Sequence, residues 1–144
     1  MESFLAELVL AQQAQGLQVS ALVHGQPLAD DPDWLVRVPV QLSLVYTPIA
    51  LGFRAALAQA IERFEPDVLH LHMPNVAVFW ALTLPSARRT PWVVHWHSDV
   101  VVSAQSPRAL RLAYMAYRPF EQAVLEHADR IVATSDTYLA ASEP

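Results

Sequence analysis

The chain has 144 residues, 53% of them hydrophobic and 16% charged, with a formal net charge of −5. That length holds one domain with a real core and falls short of two ordinary ones, and the apolar content excludes a disordered chain. The negative balance argues against a nucleic-acid binder, which needs clustered cations for phosphates, and all nine basic residues are arginine.

Other absences narrow the class further. Without cysteine there are no disulfides and no cysteine-based zinc sites. No apolar run reaches the roughly 18 to 20 residues of a membrane span. Met1-Glu2-Ser3-Phe4 lacks the basic start of a secretory signal. These features predict a soluble, cytoplasmic protein. Three glycines are too few for a glycine-rich phosphate loop, and neither GxGxxG nor a Walker pattern occurs. Arg108, Arg111 and Arg118 are candidates for an anion site, although biased codon usage is the simpler account of the arginines.

Taken in order, Phe4, Leu5, Leu8, Val9 and Ala11 recur at helical spacing, and Gly16 is a natural residue to stop that helix. Leu17–His24 reads as a buried strand, Gly25–Asp33 as a polar loop and Trp34–Val38 as a short strand. Gln41–Thr47, bracketed by Pro39 and Pro48, reads as irregular or edge structure. A helix is predicted over Ile49–Phe64, buried through Phe53, Leu57, Ala60, Ile61 and Phe64. Val68–His72 is a second buried strand, Met73-Pro74-Asn75 a turn and Val76–Leu84 a short apolar helix.

Ser86–Thr90 reads as an exposed basic loop leading into the stretch Thr90–Val101. There, alternation puts Val93, His95 and His97 on one face of a strand, with Trp92, Val94, Trp96 and Ser98 on the other. Trp92 and Trp96 are therefore core residues rather than platforms for a sugar ring. Ser106-Pro107 is a helix start, and Pro119 is expected to divide the following helix into Pro107–Tyr117 and Pro119–His127. His127 suits a helix carboxyl end, whereas His24 has no partner visible in sequence. Asp129–Ser135 is a third strand, and another helix begins at Asp136. Strands alternating with helices predict an α/β fold, a parallel sheet with helices on both faces.

Open sheets of this kind bind ligands beyond the carboxyl ends of their strands. His97, Ser98 and Asp99 sit at such an end, and Asn75 joins them if the two strands are neighbours. Imidazole, hydroxyl and carboxylate are the groups that grip sugar hydroxyls. A nucleophilic triad from the three is disfavoured, because adjacent residues diverge and no nucleophile elbow occurs. Two His-x-His pairs, His70/His72 and His95/His97, could each bite a metal, with Asp99 as a further ligand, which would suggest a metal-dependent hydrolase. Against it, the third strand offers only Thr134-Ser135-Asp136, and His70 and His95 also suit a core under a helix.

Val68-Leu-His-Leu-His-Met-Pro-Asn75, Val93-Val-His-Trp-His-Ser-Asp-Val-Val101, Tyr117-Arg-Pro119 and Ala128-Asp-Arg-Ile-Val-Ala-Thr-Ser135 occur in this order. As a set they resemble the amino-terminal half of bacterial family 4 glycosyltransferases, retaining enzymes of the GT-B fold. Arg37-Val38-Pro39 and Thr47-Pro48 suit the same pattern.

The resemblance implies a Rossmann-like, acceptor-side domain over residues 1–144, truncated at both ends. Its first strand and the carboxyl-terminal donor-binding domain would lie outside the chain. It implies sugar transfer from a nucleotide-sugar to a sugar or lipid-linked acceptor, in surface polysaccharide or glycolipid synthesis, with peripheral contact at the inner face of the cell membrane. No metal and no resident cofactor are implied. Carried over by position, His97 and Asp99 are the catalytic candidates, and Ser98, Asn75, His72 and Ser135 line the substrate site. His95 stands where a threonine is more usual in the family. The rival readings are a non-catalytic sugar-binding module and the metal hydrolase.

In the complete GT-B domain a first strand lies between Leu17–His24 and Val68–His72. Without it the two are expected to close up and pair in parallel, since an open slot leaves backbone groups unsatisfied at about 1 to 3 kcal/mol each.

Overall fold

A computed structural model describes residues 2–44, 47–100 and 105–134. The elements are α1 (Glu2–Ala14), β1 (Ala21–His24), β2 (Leu35–Val38), β3 (Leu42–Leu44), β4 (Thr47–Ile49) and α2 (Phe53–Phe64). There follow β5 (Leu69–Met73), a 3₁₀ turn (Val76–Val78), α3 (Phe79–Leu82), α4 (Pro85–Arg89), β6 (Trp92–Trp96), α5 (Arg108–His127) and β7 (Arg130–Ala133). The α/β class is as expected, with parallel strands flanked by helices. The predicted helix at Asp136 and the loop after Val100 lie outside the described residues.

β5, β6 and β7 form a parallel sheet in that order, with His72 opposite His95 and His95 opposite Val132. Trp92, Val94 and Trp96, with Leu71 and Met73, bury one face of it under α2, α3, α4 and α5, through Ile61, Ala81, Ala87 and Val124. Trp92, Val94 and Val124 are fully excluded from solvent. The alternation read in the sequence is therefore the alternation of the core, and the two tryptophans are interior. Trp92 is tied at both ends: its indole Nε1 donates to the Ala87 carbonyl at 2.8 Å, and its amide donates to Asp129 Oδ2 at 2.8 Å.

Several expectations are corrected. The described strands do not form one sheet. β1 pairs in parallel with β2, and β3 pairs with β4 as an antiparallel hairpin where irregular or edge structure was predicted. That hairpin takes Ile49 out of the predicted helix, and α2 begins only at Phe53. β1 does not close onto β5. Side chains hold it instead: Leu22 packs on the cluster of Val38, Ala50, Phe53 and Ala77, and the His24 ring lies 4.9 Å from that of Phe53.

The basic segment before β6 is a short helix, α4, rather than a loop. Pro85 supplies its first turn and Ala87 its fully buried contact. Pro119 does not divide α5, which runs unbroken from Arg108 to His127. The amide that proline lacks would have bonded to Met115 four residues back, and both residues are exposed, so water can satisfy that carbonyl. Within α2, Phe64 is 40% exposed rather than part of the buried stripe. Glu65, left-handed at φ 47, stops the helix there, and its amide donates to the Ile61 carbonyl.

Candidate active site

With β5 and β6 adjacent, their carboxyl ends form one rim. Met73-Pro74-Asn75 leaves β5, His97-Ser98-Asp99 leaves β6, and the His97 amide donates to the Met73 carbonyl at 2.9 Å. The sheet face opposite the tryptophans carries the histidines, because strand alternation places His70, His72, His95 and His97 together there. Their rings are close to parallel. His95 and His97 lie 4.3 Å apart at 7°, His72 and His97 5.2 Å apart at 17°, and His70 and His72 4.6 Å apart at 27°. Phe4 of α1 sets its ring edge-on to this stack, 5.3 Å from His97 and 5.4 Å from His95.

Inside the stack, His72 Nδ1 and His97 Nε2 are hydrogen-bonded at 2.9 Å. One ring must donate and the other accept, so the pair fixes opposite characters on the two nitrogens of each ring. Orienting His97 through His72 thus decides whether its remaining nitrogen offers a proton or a lone pair. Burial holds all four rings below the ordinary histidine range, with neighbouring imidazoles adding to it for His70, His72 and His97. His72 is lowered to about 3. All four are therefore neutral at physiological pH.

The predicted site residues fare differently. His72 and His97 meet directly. Asp99, the other catalytic candidate, accepts from the Trp96 indole Nε1 at 2.8 Å, which ties the rim to the core. Ser98 is exposed beside them. Asn75 lies at the end of β5, where its Oδ1 accepts from the Ala77 amide at 3.0 Å and starts the 3₁₀ turn. Ser135 lies outside the described residues. The arginines are spread along α5: Arg118 sits 5.9 Å from the centre of the Tyr114 ring, with Arg108 and Arg111 exposed. His127 places its Nε2 3.2 Å from the Arg88 carbonyl and its ring 4.3 Å from Trp92.

Sequence reasoning passed over Glu121, which is only 2% exposed. Burial raises its carboxyl above the ordinary range, the Tyr117 hydroxyl and Arg118 oppose that, and the charge of Asp99 adds to it. A signal existed, since Tyr117, Glu121 and Val124 recur at i, i+4 and i+7 on the inward stripe of α5.

The fold is a parallel α/β domain whose strand-end rim carries imidazole, hydroxyl and carboxylate groups, at the place where open sheets of this kind bind ligands. Residues 1–142 match the family described as the glycosyl transferase 4-like domain, and the chain belongs to that family. Among curated proteins it is similar to a sulfoquinovosyl transferase, SQD2, of Arabidopsis thaliana, 34% identical over 55 residues. That match takes in 38% of this chain and spans 11% of the length of the relative. Among the described residues no helix is long and apolar enough to cross a membrane.

Proposed function

We propose that this domain is the acceptor-side half of a retaining glycosyltransferase that moves a sugar from a nucleotide-sugar to an acceptor hydroxyl. Family membership over residues 1–142 is the observation that carries this reading. The donor would be held mainly by a second, nucleotide-binding half facing the rim, and the acceptor would be a sugar or a lipid-linked sugar. Surface polysaccharide or glycolipid synthesis, with peripheral contact at the inner face of the cell membrane, fits such acceptors.

In this reading the acceptor oxygen bonds to the anomeric carbon as the bond from that carbon to the donor phosphate breaks. The phosphate leaves with the electron pair and takes the acceptor proton, so the protein need not supply a base. Neither a metal nor a resident cofactor is required for that step. His97 hydrogen-bonds the donor sugar or stabilises charge in the transition state, oriented by its bond to His72. Asp99, anchored on Trp96, holds the acceptor side of the rim with Ser98, and Asn75 and Ser135 line the substrate site.

The test is stereochemical. The enzyme comprising both halves is supplied with a panel of nucleotide-sugars and acceptors, and the product is examined by NMR at the anomeric centre. Net retention with release of nucleoside diphosphate is expected. Inversion, or no transfer from any donor that binds, would overturn the reading.

A further inference from the structure

Three imidazoles on the rim have a geometry that hydroxyl binding does not call for. His72, His95 and His97 each present a ring nitrogen, and these nitrogens all lie within 4.8 Å of one another. They come from two adjacent strands with His72 and His95 in direct register, so the backbone ladder fixes their spacing. His95 Nδ1 is fully buried and has no hydrogen-bond partner among the described residues. A buried ring nitrogen without a partner is costly, and this one belongs to a ring of the cluster.

We propose that His72, His95 and His97 bind a divalent d-block cation of the zinc class, one nitrogen from each, and that this cation inhibits sugar transfer by engaging His97. Imidazole is a ligand that suits zinc, copper and nickel, whereas magnesium and calcium demand oxygen. Three protein nitrogens leave a fourth, open position on a tetrahedral ion, which water can fill.

The geometric demand is small. Two nitrogens bound to zinc at 2.0–2.1 Å in a tetrahedron stand about 3.3 Å apart. The widest separation within the cluster must therefore close by about 1.5 Å, within reach of rotation about the soft terminal torsion of histidine. The His72–His97 pair, at 2.9 Å, must open by a few tenths of an ångström and give up its shared proton. Phe4, edge-on to all three rings, shields one side of the ion from water. Cation binding and the proposed use of His97 in transfer exclude one another, because both need the same ring. The inhibitory half rests on the proposed glycosyltransferase reading; the binding half does not.

The experiment begins with the chain at pH 7.5, titrated with zinc against a chromophoric chelator and, separately, with cobalt(II). One metal per chain is expected, with the intense visible bands of four-coordinate cobalt. His95→Phe and His95→Gln, one keeping the ring stack and the other a polar group, should each weaken binding at least about 100-fold, since loss of a ligand's supporting partner alone costs about 10- to 100-fold. In the two-half enzyme zinc should suppress transfer, chelator should restore it, and His95→Phe should keep its metal-free turnover while losing the inhibition. Sub-stoichiometric binding, a faint six-coordinate cobalt spectrum, or affinity unchanged in both His95 variants would overturn the site. Tight binding with zinc-insensitive transfer would overturn the inhibition. Tight binding in an enzyme that transfers no sugar would leave the site standing and refute the transferase reading instead.

Discussion

Acidification from pH 8 to pH 5, with chelator present, should destabilise this fold by a measurable amount through His72 alone. Its ring is held at about 3 in the folded chain, first by burial and then by the neighbouring His70, His97 and His95, against 6.5 when unfolded. A base whose folded value is depressed takes up its proton first in the unfolded chain. Its contribution to stability is therefore complete above 6.5 and is lost as the pH falls. At pH 5 the unfolded ring is protonated by about 30 to 1 while the folded ring is not, which amounts to about 2 kcal/mol. Any folded value below about 4 gives nearly the same difference, so the figure does not hang on the depth of the depression. Urea unfolding at pH 8, 6.5 and 5 measures it, comparing wild type with His72→Phe, which keeps a ring in the stack. The variant should begin less stable, having lost the bond to His97, by about 1 kcal/mol. It should then lose about 2 kcal/mol less than wild type on acidification. Parallel pH profiles for the two proteins would refute the claim that His72 is buried neutral.

Two further outcomes follow from the core. Trp92→Phe should cost about 2 to 4 kcal/mol in denaturant titrations, since it opens a void at a fully buried position and strands the Ala87 carbonyl that the indole satisfies; a loss under 1 kcal/mol would show that this contact is not structural. Glu121→Gln should be more stable than wild type at pH 8 and match it near pH 4. The raised carboxyl of Glu121 favours the fold below its ordinary range, and that benefit is lost as the pH climbs through its folded value. A melting-temperature difference that ignores pH would contradict the burial of that group.

The parts of the molecule legible in sequence are those set by strand alternation. Trp92, Val94 and Trp96 share one face of a short run whose other face carries Val93, His95 and His97, and the structure buries all three. β5 was legible for the same reason, β7 as a short apolar run ending in polar residues, and Gly16 as a helix stop, its φ of 84 being the left-handed conformation that ends α1. What escaped depends on neighbours that local pattern does not encode. Pro119 looks like a breaker until its exposed position on α5 is known, and Pro85 looks like loop until Ala87 is seen to be buried. The two His-x-His pairs were visible, but only the adjacency of β5 and β6 turns them into one stack and joins His72 to His97. Of the site, position on the rim was legible for His97, Ser98, Asp99 and Asn75; the bond from Asp99 to Trp96 and the capping by Asn75 were not.

The central claim is that the rim at the end of β6 performs sugar transfer through His97. The most direct measurement is the steady-state turnover of His97→Ala in the enzyme comprising both halves, with circular dichroism confirming the fold. A preorganised donor lost from a transition state costs on the order of 3 kcal/mol, so turnover should fall at least about a hundredfold. Near-wild-type turnover in a folded His97→Ala enzyme would contradict it.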